Sequence, residues 1–263
     1  MIDIHSHILP AIDDGSRSVE ESLAMGRQEA EGGTTVIFAT PHVYTNADFA
    51  KSDGFIQRVA DLQGIFDEES VALKIAQGAE VFPMMEILDA LGAGHPISLG
   101  GKKRHILLDL PLGQSPMILD KLTFELLASG ITPILAHPER TAPVQQSLEI
   151  LIPYLERGVL IQVNAGSLFG KYGQQAQKRA NDILNLKWAQ FLASDMHRPS
   201  SKGAILRYAK SQLAGTPVDY IERLTVHNPG LVLAGKGIPE IDYDILTIPK
   251  ERKFLGGLFK KRT

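Results

Sequence analysis

The sequence predicts an α/β protein in which parallel strands follow one another through helices. Two observations predict it. Seven short, near-continuous apolar segments, several carrying valine or isoleucine, recur along the 263 residues, as strands buried on both faces do. Between most of them lie longer stretches of helical period. Seven alternations of this kind fit a closed barrel or a doubly wound sheet. No internal repeat and no low-complexity linker interrupts them, so one domain over 1–250 is the economical organisation.

The elements follow in order. MIDIHSH (1–7) opens as a strand. Ser18 and Glu21 have the spacing of a capping box, so a helix begins there and runs over 19–31 until Gly32-Gly33 stops it. TTVIFATPH (34–42) is the second strand and 55–68 the next helix. ALKIAQGAEV (72–81) and HILLDLP (105–111) are the third and fourth strands, with a helix over 115–129 after them. TPILAHPER (132–140), LIQVNAG (160–166) and QFLASDMH (190–197) complete the set, followed by helices over 144–157, 173–187 and 201–213. The segment KERKFLGGLFKKRT differs. Its six basic residues surround Phe254, Leu255, Leu258 and Phe259, so 251–263 reads as a basic tail. Such a tail is solvated, or makes weak contact with an anionic membrane surface.

Composition removes several classes of function. Hydrophobic residues make up 44% and charged residues 22%, ordinary values for a globular domain. A net charge of -3 gives no global basic field for nucleic acid. No run of 18 apolar residues suits a membrane span. The opening has no basic region followed by an apolar stretch, and there is no cysteine, so the expected compartment is the cytoplasm. Without thiolates, any metal must be held by nitrogen and oxygen.

The chemistry sits at the strand ends. The first strand ends in His5 and His7, the second in His42, the third in Glu80, the fourth in Asp109, the fifth in His137, and the seventh in Asp195 and His197. In a parallel barrel the carboxyl ends of the strands open on one face, where these groups would converge. Residues two apart on a strand share a side, so His5 and His7 can grip one cation while Ile4 and Ser6 point away. His95, His105 and His227 fall outside the pattern and read as structural or surface residues. Imidazole with carboxylate suits manganese, iron or zinc better than magnesium. Three divalent ions would outweigh the carboxylates of Asp14, Glu80, Asp109 and Asp195 by about two positive charges. Such a site attracts a phosphate dianion, and paired metals clamp phosphoryl groups; one metal with extra structural acids is the competing reading. Arg140, three residues after His137, can fork two phosphate oxygens. Arg198 and Lys202, close after His197, are candidates for the far side of the phosphate.

The ordered set DIHSHILPAIDDGS, ATPH, GAEV, ILLDLP, AHPER, GKYG and SDMH resembles the PHP (polymerase-and-histidinol-phosphatase) superfamily of metal-dependent phosphoesterases. Within it the chain looks most like the bacterial tyrosine-protein phosphatases of capsule and exopolysaccharide synthesis. The resemblance implies a distorted seven-stranded (β/α)7 barrel and up to three divalent ions, usually manganese. It implies metal ligation by His5, His7, Asp14, His42, Glu80, Asp109, His137, Asp195 and His197. His5, His7 and Asp195 would hold the first ion and Glu80 would bridge to the second. Asp109 and His137 would complete the second, and Asp14, His42 and His197 would belong to the region of the third. Arg140, His42 and His197 would be catalytic, and Arg140, Lys202 and Arg198 would bind substrate. Two positions depart from the family pattern. Asp109 stands where glutamate is common, and Lys202 where a second arginine is.

The expected reaction is hydrolysis of phosphotyrosine on a partner protein, a bacterial tyrosine kinase by the resemblance. The absence of cysteine closes the thiolate route. A small phosphomonoester such as histidinol phosphate, or a non-catalytic binding role, are the competing readings. Loops 43–53 and 167–175 would line a mouth wide enough for a peptide, with Tyr44, Phe49, Phe169 and Tyr172 available for a phenyl ring.

Overall fold

Every strand pairing among the described residues is parallel. The structure is a computed structural model and describes residues 1–110 and 118–239. The tail at 251–263 and the first residues of the helix expected over 115–129 lie outside the described residues. β1 (Ile2–Ser6) comes first. The strand expected over 34–42 is two, β2 (Val36–Ala39) and β3 (His42–Val43), parted at Thr40-Pro41. Proline brings no N–H to a ladder, so the run breaks there. The segment 72–81 likewise gives β4 (Lys74–Gln77) and β5 (Glu80–Val81). The break falls at Gly78, where a Cβ would lie 2.8 Å from Leu99 Cδ2. β6 (His105–Leu108), β7 (Thr132–Ala136), β8 (Leu160–Asn164) and β9 (Phe191–Ala193) follow as expected.

The strands form a three-stranded sheet, β1-β2-β4, and a six-stranded sheet, β3-β5-β6-β7-β8-β9. A parallel bridge between Ser6 and Met196 joins β1 to the segment after β9. His7 N donates to Met196 O and Asp195 N to His5 O, both at 2.9 Å.

The helix Val19–Glu31 begins as its capping signal predicts, with Ser18 Oγ accepting from Glu21 N at 3.3 Å. Phe55–Glu68, Gln174–Asn185 and Ile205–Ser211 lie where the period places helices, the last starting four residues late. The stretch 144–157 is broken into Ala142–Gln146, a 3-10 turn over Leu148–Leu151, and Ile152–Glu156. Pro143 and Pro153 each sit in a first turn, where the missing N–H costs least, and each restarts the helix there.

Strand alternation divides the core in two. Ile4, Phe38, Leu107, Ile134 and Phe191 form an inner cluster among the strands. Ile37, Ile106, Leu135, Ile161 and Leu192, on the opposite faces, pack in the larger apolar cluster with helix residues such as Leu62, Leu122 and Ile183. The expectation that Ile4 points away from the interior is corrected by the register. Between Asp3 and Ser6 β1 is bulged, pairing across Ile37 to Ala39 with one residue too many. A bulge resets alternation, so Ile4 joins the inner cluster while His5 and His7 still reach the centre.

Lower in the interior, on the same face of β6 as Leu107, His105 is fully buried. Neither of its ring nitrogens has a hydrogen-bond partner among the described residues. Burial, with Arg104 beside it, pushes the imidazole down to about 4. The folded protein therefore keeps His105 neutral while the unfolded chain takes up a proton near its ordinary value of about 6.5. Stability is fully present above that value and is lost as pH falls towards 4. At pH 5 the linkage is about 2 kcal/mol. His105→Leu is expected to lose about that much less stability than the parent between pH 7.5 and pH 5. Denaturant melts of the two metal-free proteins at both values measure it, and parallel pH dependences would reject the assignment.

Candidate metal centre

The carboxyl ends of the strands bring all nine of the expected ligands into one region. His5 Nε2 and His7 Nε2 are 3.3 Å apart. Glu80 Oε2 lies 3.2 Å from His5 Nε2, 3.4 Å from His7 Nε2 and 3.0 Å from His42 Nδ1. Its other oxygen, Oε1, is 3.0 Å from His137 Nε2. Asp195 Oδ1 lies 3.5 Å from His5 Nε2 and 3.4 Å from His7 Nε2. Asp14 Oδ1 is 3.4 Å from His42 Nε2 and 3.3 Å from His197 Nε2. These atoms form overlapping groups: His7, Asp14, His42 and His197; His5, His7 and Glu80; His5, His137 and Asp195; and His42, Glu80 and Asp109. Within each group the donor atoms lie within 4.8 Å of one another. Asp109, with a side chain one methylene shorter than glutamate, groups with His42 and Glu80, whereas His137 groups with His5 and Asp195.

The backbone is bent to present two of these ligands. His137 has φ 35° and Asp195 has φ 49°. Left-handed backbone is uncommon for residues with a Cβ and is often found at functional sites. Both residues follow the end of a strand, β7 and β9, and the turn swings their side chains inward.

A second layer aims the first. His7 Nδ1 is bonded to Asp13 Oδ2 at 2.8 Å, and the same oxygen accepts from His42 N at 3.1 Å. His5 Nδ1 is 3.0 Å from Gln162 Oε1, and His197 Nδ1 is 3.0 Å from Asp195 O. Each of these rings is fixed through Nδ1, which leaves Nε2 for the centre, as metal-bound imidazoles are commonly held. Asp3 Oδ1 accepts from His5 N and Ser194 N and ties β1 to β9. Asp195 Oδ2 accepts from Arg140 Nη1 at 2.6 Å and Asn164 Nδ2 at 2.7 Å. Asp13, Gln162 and Asn164 are not among the expected site residues. The adjacent pair Asp13-Asp14 carried a signal; a glutamine and an asparagine inside an apolar strand carried only a faint one.

The electrostatics call for cations. Burial opposes charge on His5, yet Glu80 and Asp195 outweigh it and hold the imidazole up at about 9. Burial opposes His7 too, but bonds to Asp13, Asp195 and Glu80 hold it well above its ordinary value. Burial works against the Glu80 carboxylate, and His5, His137 and His42 hold it well below the carboxylate range. Asp13 is buried, yet its bond to His7 holds it down at about 2. Asp109 is raised by burial and by Glu80. The carboxylates that protonate His5 and His7 are placed to hold divalent ions instead, with release of those protons. A nitrogen and oxygen donor set with no sulfur fits manganese, iron or zinc.

The cations divide. The Arg140 guanidinium lies 4.1 Å from the Tyr172 ring centroid while it bonds Asp195. Arg198 Nη1 donates to the carbonyls of Asp14, Gly15 and His197, which ties the Asp14 loop to the end of β9. Lys202 Nζ sits over Tyr208 at 4.8 Å and Phe169 at 5.7 Å. Of the expected aromatics, Tyr44 stacks on His42 at 4.6 Å and is half exposed. Tyr172 joins the Asp195 network, its hydroxyl 3.3 Å from Asn164 Nδ2. Phe49 is buried in the apolar core and Phe169 packs edge-on against Tyr208. His95 pairs with Asp53 at 2.8 Å, outside the centre.

Comparison with known proteins gives the same address. A family model described as capsular polysaccharide synthesis, CpsB/CapC, matches residues 1–234. The tyrosine-protein phosphatase YwqE of Bacillus subtilis is 31% identical over 203 residues, 77% of this chain and 79% of the relative. A putative tyrosine-protein phosphatase, CapC of Staphylococcus aureus, is 28% identical over 264 residues, 97% of this chain and 99% of the relative. A solved structure from work on YwqE of Bacillus subtilis and CpsB of Streptococcus pneumoniae, described as metal-dependent tyrosine phosphatases, superposes with a TM-score of 0.80 at 28% identity, covering 92% of this chain and 98% of that one. A lactonase from Listeria monocytogenes shares the fold alone, with a TM-score of 0.53 at 11% identity, covering 90% of this chain and 95% of that one.

Proposed function

The chain belongs to the CpsB/CapC family of capsular polysaccharide synthesis proteins, and on that premise we infer that it is a metal-dependent protein-tyrosine phosphatase. The observation that carries this reading is the convergence of five histidines and four carboxylates from across the chain on one centre. The two sheets, with the Ser6 to Met196 bridge between them, read as one distorted seven-stranded barrel in which β2 with β3, and β4 with β5, each count as one stave. We take residues 1–250 as a single domain and 251–263 as a basic tail, a candidate for weak contact with a membrane surface. No helix among the described residues is long and apolar enough to cross a membrane. The compartment we propose is the cytoplasm.

The nine ligands would hold up to three divalent ions, manganese first, with iron or zinc as substitutes. Bound there, the ions supply charge neutralisation at the phosphate and an acidified water. The protein's residues do the rest. Arg140 has one N–H on Asp195 and its remaining donors available to orient phosphate. His42 and His197, on the more open side of the centre, flank the entering group and share Asp14. Tyr44 offers a ring face, half exposed beside His42, for the substrate's phenyl group. Arg198 and Lys202 remain candidates for outer substrate contacts. The substrate we propose is a tyrosine-phosphorylated protein of the capsule pathway, a tyrosine kinase in particular.

The test is phosphate release from a phosphotyrosine peptide with and without manganese, beside histidinol phosphate and a nucleotide monophosphate. Release from the peptide that a chelator abolishes and manganese restores is expected. Faster release from either small phosphomonoester, or release that survives the chelator, would reject the reading.

A further inference from the structure

The sequence supplies one clear phosphate-binding cation, Arg140, and two nominees for a second. In the structure Arg198 is committed to the carbonyls of Asp14, Gly15 and His197. Lys202 rests on Phe169 and Tyr208 and lines a separate cavity with Gln28, Glu31 and Arg207. None of the metal-centre residues lines that cavity.

A different lysine shares an aromatic ring with Arg140. Lys171 follows the turn after β8, and its Nζ lies 5.0 Å from the centroid of the Tyr172 ring. The Arg140 guanidinium lies 4.1 Å from the same centroid. Two cations are thus gathered on one ring, whose hydroxyl is 3.5 Å from Asp195 Oδ2. Partial burial lowers the pKa of the Lys171 ammonium from its ordinary value, with Asp195 attracting the charge and Arg140 repelling it. No carboxylate pairs with it among the described residues, so its charge is available. The ledge is built tightly: a Cβ at Gly166 would meet Lys171 Cδ, Tyr172 Cε2 and Asn164 Oδ1, each at 3.0 Å. Lys171 N also donates to Gly166 O at 3.1 Å, which closes the turn.

Asp195 offsets part of the repulsion between the two cations, and its Oδ2 is already taken by Arg140 and Asn164. A phosphate dianion drawn to the metal centre past Arg140 adds a second counter-charge that both cations can meet. We propose that Lys171 is the second phosphate-contacting cation of this site, with Tyr172 as the platform that sets it beside Arg140. Cation–π contact keeps both side chains extended over the ring without neutralising either. Lysine acts here as a point charge at the outer oxygens, complementing the fork of Arg140. The proposal rests on the phosphatase reading.

The test uses inorganic phosphate as the probe. Phosphate binding to the manganese-loaded full chain is measured by calorimetry for the parent, Lys171→Met and Lys171→Arg, with metal content determined for each. Lys171→Met is expected to weaken phosphate binding about tenfold, as loss of a charged hydrogen bond does, with metal content unchanged and Lys171→Arg restoring most of the loss. In turnover the same variant should raise KM more than it lowers kcat, equally for phosphotyrosine and for p-nitrophenyl phosphate. Phosphate binding unchanged in Lys171→Met would overturn the proposal. So would a defect confined to phosphotyrosine, whose phenolate is the poorer leaving group, because that marks a proton donor. If the parent binds phosphate through Lys171 yet releases none from the peptide, the phosphatase reading fails and this contact stands.

Discussion

Glu80→Gln is expected to lower phosphotyrosine hydrolysis by on the order of a thousandfold. Glu80 is fully buried, and its two oxygens reach four histidines, His5, His7, His42 and His137. An amide is nearly the same size but carries no charge. It also turns a donor NH2 towards ring nitrogens that need an acceptor or a cation. The loss should therefore appear first as lost metal and only then as lost rate. Adding manganese to the metal-free parent should raise its melting temperature, since a ligand bound by the folded state stabilises it. The same addition should leave Glu80→Gln nearly unmoved. A variant that keeps full metal content and full activity would remove Glu80 from the centre of the chemistry.

Arg140→Ala is expected to cost about a hundredfold in kcat/KM, with metal content preserved. The guanidinium does two jobs: it donates to Asp195 Oδ2 at 2.6 Å and keeps its other donors for phosphate. Asn164 Nδ2 still donates to the same oxygen at 2.7 Å in the variant, so the Asp195 carboxylate stays oriented. The phosphate contact has no such substitute. Arg140→Lys restores charge but not the fork and should recover only part of the loss. Steady-state kinetics with metal analysis on each variant measure this. A fall in bound metal parallel to the fall in rate would make Arg140 a structural support of Asp195 only.

The ligands were legible because each breaks the pattern around it. His42, Glu80, His137 and Asp195 end apolar runs, and a charged or imidazole side chain at that point has no packing reason to be there. The layer that aims them was hard to read for the opposite reason. Gln162 and Asn164 lie inside LIQVNAG, where a polar residue reads as an ordinary inward or outward position. Their partners His5 and Asp195 are far away in sequence. Strand order was readable from chain order, but the breaks at Pro41 and Gly78 were not used, although proline and glycine are what breaks a ladder. The helix over 144–157 failed similarly, because its apolar period outweighed Pro143 and Pro153. Lys171 was invisible to spacing, since what matters about it is the ring beside it.

The extra residue in β1 has a consequence for how this protein can vary. Removing one residue between Asp3 and His5 would leave hydropathy and strand propensity almost untouched. The shortened strand could pair with β2 in even register. Ser6 would still lie opposite Ala39, so His5 and His7 would keep their faces, and what would be lost is the Ile4 side chain from the inner cluster. The doubled position can thus lose a residue at a cost in packing alone, whereas a one-residue change between Ser6 and His7, with no bulge to absorb it, would turn His7 away from the centre.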